Sequence, residues 1–194
     1  MPTRLMPWTE GVWTHQPGQV EYEGTDLVVT ALKGSDAWRI TSYGFVHESE
    51  HALLSRLEPG SAVEVTFAVS LSEQFDQAGL FLRASPSLWV KAGLEYVDGT
   101  PHVGVVVTDG LSDWSSFPVP AWSGRRATVR ASWAGDAVTI RAKVDEDPFH
   151  LIRLLPLDPG AEIKGGPYLC APTRSGLTVR FHSWHTTPPD SALH

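Results

Sequence analysis

"QFDQAGLFLRASPSLWVKAGLEYVDG", residues 74 to 99, holds two runs of period-two alternation separated by Ser85-Pro86-Ser87. That period belongs to half-buried strands, and the Ser-Pro-Ser break supplies turn chemistry, so the stretch predicts an antiparallel hairpin. Pairing centred on Pro86 sets Arg83 opposite Trp89, Phe81 opposite Lys91, Gly79 opposite Gly93 and Gln77 opposite Glu95. All eight share one face, and a slip of two residues leaves them on it. The other face is Ala78, Leu80, Leu82, Ala84, Val90, Ala92, Leu94 and Tyr96, which must pack on a second sheet.

The next run, "PHVGVVVT", continues the sheet with Val103, Val105 and Val107 inward and His102, Gly104, Val106 and Thr108 on the open side. Gly79, Gly93 and Gly104 then form a row without side chains. Glycine weakens a strand unless something must approach its backbone closely, so the row either admits a ligand or lets the sheet bend.

Alternation also dominates elsewhere. "SAVEVTFAVSLS" turns Val63, Val65, Phe67, Val69 and Leu71 to one side, and "RATVRASWAGDAVTIRAKVDED" makes a hairpin about Ala134-Gly135-Asp136. "DLVVTAL", "AWRITSYGF" and "GLTVRFHSW" are further strand candidates bounded by turn residues. The 15 Pro and 17 Gly leave helical room only in "DPFHLIRLLPLDPG", for a turn or two. The expectation is an all-β sandwich with at most one short helix, one domain over residues 1–194, and a loose polar tail from about residue 186.

A net charge of -7 opposes nucleic-acid binding, which needs clustered cations to displace counterions. No stretch approaches the roughly 18 apolar residues of a membrane helix, and the first residues lack a secretory apolar run. Cys170 is the only cysteine, which excludes an internal disulfide and fits a reducing, cytoplasmic setting. Its place between a turn and an apolar run favours a buried structural thiol over a nucleophile. Eight Trp exceed what a core needs, and some should line a site.

The open hairpin face brings Gln77, Arg83, Trp89, Lys91 and Glu95 together. Lys91 and Glu95 alone could be a surface ion pair. With guanidinium, ammonium, carboxylate and aromatic groups over small residues, the set suits a polar-ligand cleft. Asp113 and Trp114, expected in a loop at the edge of that face, can join it, as can Trp38, Tyr43 and Phe45 of "SDAWRITSYGF". His182 and Trp184 of "RFHSWH" fall on the face opposite Leu177, Val179 and Phe181. No metal-ligand spacing, phosphate loop or nucleophile elbow occurs, so no cofactor or metal is expected. Glu95 is the best catalytic candidate. Glycoside hydrolysis needs a second carboxylate, and neither Asp113 nor Asp76 is fixed on the same face.

"FDQAGLFLRA", "WVKAGLEYVDG", "VVVTDGLSDWSS" and "GPYLCAPTRSGLTVRF" resemble the DUF1349 family, one branch of which is associated with the regulation of enolase; the likeness runs from about Trp38 to Trp184. It implies a concanavalin A-like lectin/glucanase jelly-roll sandwich of two curved antiparallel sheets, whose concave face often holds carbohydrate in better-known relatives. The ExDxxE catalytic strand of related enzymes is not present. The reading is a module binding a carbohydrate or related polar metabolite. Arg83, Lys91, Glu95 and Gln77 would supply hydrogen bonds, and Trp89, Trp114, Trp38 and Trp184 stacking surface. The alternatives are an interaction factor for a metabolic enzyme such as enolase, and a glycoside-acting enzyme using Glu95.

Overall fold

The structure is a computed structural model that describes residues 2–193. Its strands begin with β1 (Arg4–Leu5), β2 (Val12–Trp13), β3 (Gln19–Glu23), β4 (Asp26–Thr30), β5 (Ala37–Arg39) and β6 (Val46–Glu48). The middle of the chain forms β7 (His51–Leu57), β8 (Ser61–Val69), β9 (Gln77–Ser85), β10 (Leu88–Val97), β11 (Thr100–Asp109) and β12 (Leu111–Pro118). The last part adds β13 (Ala127–Ala134), β14 (Ala137–Val144), β15 (His150–Pro156), β16 (Ile163–Cys170) and β17 (Thr178–Thr187). Helical structure among the described residues is confined to two 3-10 turns, Trp8–Glu10 and Pro120–Trp122.

Two antiparallel sheets face each other. The front sheet runs β12-β11-β10-β9-β16-β7-β2; the back sheet runs β15-β14-β13-β8-β17-β4-β3, with β1 on β17. Successive strands such as β7 and β8, β8 and β9, and β16 and β17 lie in different sheets, so the core closes by crossovers rather than by hairpins alone. The β9–β10 register is the one expected, with Gly79 against Gly93 and Gln77 against Glu95. Its apolar face, Ala78, Leu80, Leu82, Val90, Ala92 and Leu94, is buried against Val63, Val65, Phe67, Val129, Ala131 and Trp133 of the back sheet. Each large side chain removed from water there contributes roughly 1.5–3 kcal/mol.

Four local expectations change. "HLIRLLP" is an edge strand, β15, not a helical turn: its apolar residues pair along β14, and Pro156 sits at the strand's end, where no ladder donor is lost. "LSDWSSFP" is the opposite edge strand, β12, not a loop. "AWRITSYGF" is a strand only at Ala37–Arg39, after which Ile40, Ser42 and Gly44 adopt left-handed backbone and reverse the chain into β6. The tail is not loose: Thr186 and Thr187 belong to β17, and Asp190 takes Arg130 at 2.8 Å and Arg141 at 2.9 Å.

A bulge in β17 changes the parity of its second half. Phe181 pairs with Phe67, but Ser183, not His182, pairs with Thr66. Trp184 therefore returns to the inner face and is buried in the core with Phe181, whereas His182 turns outward.

Candidate functional site

Residues 31–50 leave the back sheet and cross the open face of the front sheet as a flap carrying β5 and β6. Both flanks are pinned. Ser35 Oγ accepts from the Ala171 amide at 2.9 Å, and the Arg39 amide donates to Ser112 Oγ at 2.9 Å. Beneath the flap a second apolar cluster forms from Trp38, Ala52, Leu54, Phe81, Trp89, Val106, Tyr168 and Cys170. Much of the face expected to be open is thus covered. Phe81 stacks on Trp89 with ring centres 5.4 Å apart and meets Tyr168 edge-on at 5.7 Å.

A pocket of about 290 Å³ remains between flap and sheet. Its walls are aromatic. Trp38 meets Tyr43 edge-on at 5.6 Å, Tyr43 stacks on Phe45 at 5.3 Å, and Phe45 meets His47 at 4.6 Å, with Phe75 and Trp114 completing the ring. The polar groups lining the pocket include Asp36, Lys91 and Glu95. Lys91 is 4% exposed and its Nζ lies 3.0 Å from Asp36 Oδ1. Burial pulls the Lys91 ammonium down, but the carboxylates of Asp36 and Glu95 outweigh that and hold it above its ordinary value. Burial pushes the Glu95 carboxyl up to about 7; Lys91 opposes the rise and Asp36 adds to it. Glu95 can therefore both give and take a proton near neutrality. Gln77 Nε2 joins the two carboxyls, donating to Asp36 Oδ1 at 3.3 Å and Glu95 Oε1 at 3.5 Å, as well as to the Phe75 carbonyl at 3.1 Å.

Of the residues singled out from the sequence, Trp38, Tyr43, Lys91, Glu95 and Trp114 line this pocket, and Gln77 is buried beside it. The others lie elsewhere. Arg83 is on the predicted face but beyond the Phe81–Trp89–Tyr168 cluster, where it pairs with the buried Glu50 at 2.9 Å and borders a separate depression near Trp13. Trp89 is 4% exposed and belongs to the cluster under the flap, so it offers no stacking surface. Asp113 has the opposite parity to Trp114; it points away and pairs with Arg153. His182 lies on the outer face of the back sheet, 3.1 Å from Asp26. It borders a wider depression of about 750 Å³, at which Arg125 pairs with Asp145 at 2.8 Å. Trp184 is in the main core. Cys170 is fully buried, and burial pushes its thiol well above the ordinary range.

Asp36 and His47 are pocket residues the sequence did not reveal. The available signal was indirect: a buried lysine needs a carboxylate, and in the structure Asp36, not the hairpin's own Glu95, meets Lys91 as an ion pair. The glycine row also receives its explanation. A Cβ on Gly79 would meet the Ala92 carbonyl oxygen and lie 2.6 Å from Gly93 Cα, and one on Gly93 would meet the Ala78 carbonyl and lie 2.8 Å from Gly79 Cα. The two strands pinch together at this pair, so the close backbone approach alone requires glycine at both positions.

Residues 13–189 match the DUF1349 family, described as a protein of unknown function. The chain is 34% identical over 189 residues to Regulation of enolase protein 1 of Saccharomyces cerevisiae, covering 96% of this chain and 94% of that one. A crystal structure of a functionally unknown protein from Saccharomyces cerevisiae superposes with a TM-score of 0.89 at 30% identity, over 96% of this chain and all of that one. Xylan beta-1,4-xylosidase from Bacillus halodurans is similar with a TM-score of 0.67 at 12% identity, over 85% of this chain and 33% of that one. At that identity the likeness shows the fold alone, the expected jelly-roll sandwich.

Proposed function

Because the chain belongs to the DUF1349 family, we propose a function for the flap pocket that rests on its own chemistry: it binds a small, ring-bearing polar molecule such as a monosaccharide or related metabolite. The observation that carries this is the combination of an aromatic wall, Trp38, Tyr43, Phe45 and Trp114, with a polar set of Asp36, Lys91 and Glu95 in one cavity of about 290 Å³. Apolar ring faces lie against aromatics, while a few fixed polar groups orient the hydroxyls. The volume suits one sugar ring, not a polysaccharide strand. Titration of a monosaccharide and polyol panel into the protein, followed by tryptophan fluorescence and calorimetry, tests it. Saturable binding that weakens in Tyr43→Ala supports the reading, and no binding by any member of the panel sinks it. Chromatography of the same mixtures with simple glycosides reports turnover, which an enzymatic role for Glu95 would lose in Glu95→Gln.

A second reading has its own support. Ile40, Tyr43, Phe45 and Val46 are 41 to 56% exposed along the flap, an apolar edge suited to a protein partner. A metabolic enzyme such as enolase is the partner to try, given the relative's name. Co-sedimentation with purified enolase, lost in Phe45→Ser and not displaced by sugars, would favour this reading over the first.

A further inference from the structure

Beside the flap pocket lies a much smaller cavity of about 10 Å³, walled by Gln77, Lys91, Gly93, Glu95, Gly104, Val106, Trp114 and Tyr168. Lys91, Glu95, Val106 and Trp114 border both spaces, so the small one adjoins the floor of the larger. Its size admits about one water-sized group.

Two of the residues in its wall carry a buried polar atom with no partner among the described residues: Gln77 Oε1 and Trp114 Nε1. Gln77 is 1% exposed, and its amide orientation is fixed because Nε2 faces three acceptors, on Asp36, Phe75 and Glu95. Turning the amide would set an oxygen against three oxygens, so Oε1 is left as an acceptor in need of a donor. The Trp114 indole N–H is near enough to Glu95 to favour its charged form, yet makes no hydrogen bond of sound geometry. It is a donor in need of an acceptor. An unmade hydrogen bond on a buried group costs roughly 1–3 kcal/mol, so two around one cavity mark a place built for an occupant. The other unpartnered ring nitrogens, on Trp133 and Trp184, lie in the core between the sheets.

We infer that this cavity is a subsite for a single hydroxyl of a neutral ligand, the group that anchors the molecule held in the flap pocket; the inference rests on the binding function proposed above. A hydroxyl accepts from Trp114 Nε1 and donates to Gln77 Oε1 at once. A carboxylate or phosphate could satisfy the indole but not the Gln77 oxygen, and would stand beside Glu95 with the cation of the cavity wall, Lys91, already committed to Asp36. An ammonium could satisfy Gln77 but leaves the indole N–H without an acceptor.

The test compares neutral aldohexoses with their monodeoxy analogues, matching uronic acids and matching amino sugars, by calorimetry at pH 7. The expected result is that removing the hydroxyl at one ring position, and not at the others, weakens binding roughly tenfold, and that the acids bind more weakly than the neutral sugars. Trp114→Phe keeps the ring and removes the donor. It should lower the affinity of the full sugar about tenfold and that of the sensitive deoxy analogue hardly at all. Because the ligand-side arm uses unaltered protein, a variant that fails to fold does not spoil the experiment. If neutral sugars bind but every deoxy analogue binds equally well, the cavity holds water only and the inference is overturned. Uronic acids binding as tightly as the neutral sugars also overturn it, while leaving the flap pocket as a binding site. No binding by any member overturns both.

Discussion

Glu95→Gln should stabilise the protein at pH 8 and leave it nearly unchanged at pH 5. Burial raises this carboxyl from its ordinary 4.5 to about 7, even with Lys91 opposing the rise. Between those values the folded state holds a proton that the unfolded chain releases, so stability falls as pH climbs through the window, and the whole loss is present above it. The gap is worth about 3 kcal/mol. Glutamine has the shape of the protonated acid without its titration, so it escapes that loss at high pH and resembles the wild type at low pH. In a chain of this size 1 kcal/mol moves Tm by roughly 2–4 °C, which puts the variant about 6–12 °C above wild type at pH 8. Calorimetric melts of both proteins from pH 5 to pH 8 provide the measurement, and other titrating groups cancel in their difference. A difference that stays flat with pH, or a wild type more stable than the variant at pH 8, would refute the buried, half-neutral Glu95.

Arg83→Ala should cost about 3 kcal/mol in urea denaturation, because Glu50 is 2% exposed and loses its cation, while ligand affinity at the flap pocket stays unchanged; a loss of affinity without a loss of stability would return Arg83 to the site. Gly93→Ala should destabilise by about 3 kcal/mol or leave no folded protein, since the new Cβ meets backbone rather than an adaptable side chain. Normal stability in that variant would mean the strands are not pinched. Asp190→Ala should release the last residues to carboxypeptidase while lowering global stability by only about 1 kcal/mol, because Arg130 and Arg141 bind the tail from partly exposed positions. Unchanged digestion would show that other contacts hold the tail.

The hairpin was legible because its information is local. A turn at Pro86 and strict alternation fix which residues oppose and which share a face, and the structure keeps that register from Arg83–Trp89 to Gln77–Glu95. Parity failed where a bulge intervened. The large apolar residues of β17 step by two as far as Phe181 and then by three to Trp184, and that odd step is the trace a bulge leaves in sequence. The Leu and Ile residues of β15 fit a short helix as well as a strand, and only a free edge on β14 decides between them.

How far the polar face stays open could not be read locally, because it depends on where residues 31–50 settle. β5 and β6 are three residues each, and left-handed residues join them, so the segment carries too little periodicity to announce a cover. Lys91 connects the two halves of the problem. On a bare sheet it would be a solvated lysine and the sheet would need nothing further. Once the flap buries it to 4% exposure, an unpaired ammonium would be severely unfavourable, and Asp36 arrives on the same flap to meet it at 3.0 Å. The ion pair therefore adds little net stability compared with an apolar pair, but it penalises any placement of the flap that separates the two charges. A flap fixed in that position holds Trp38 and Tyr43 against the pocket, opposite Trp114 and Glu95 on the sheet. The polar side of the hairpin is half of a site; the carboxylate that completes it comes from a segment about forty residues or more away in sequence.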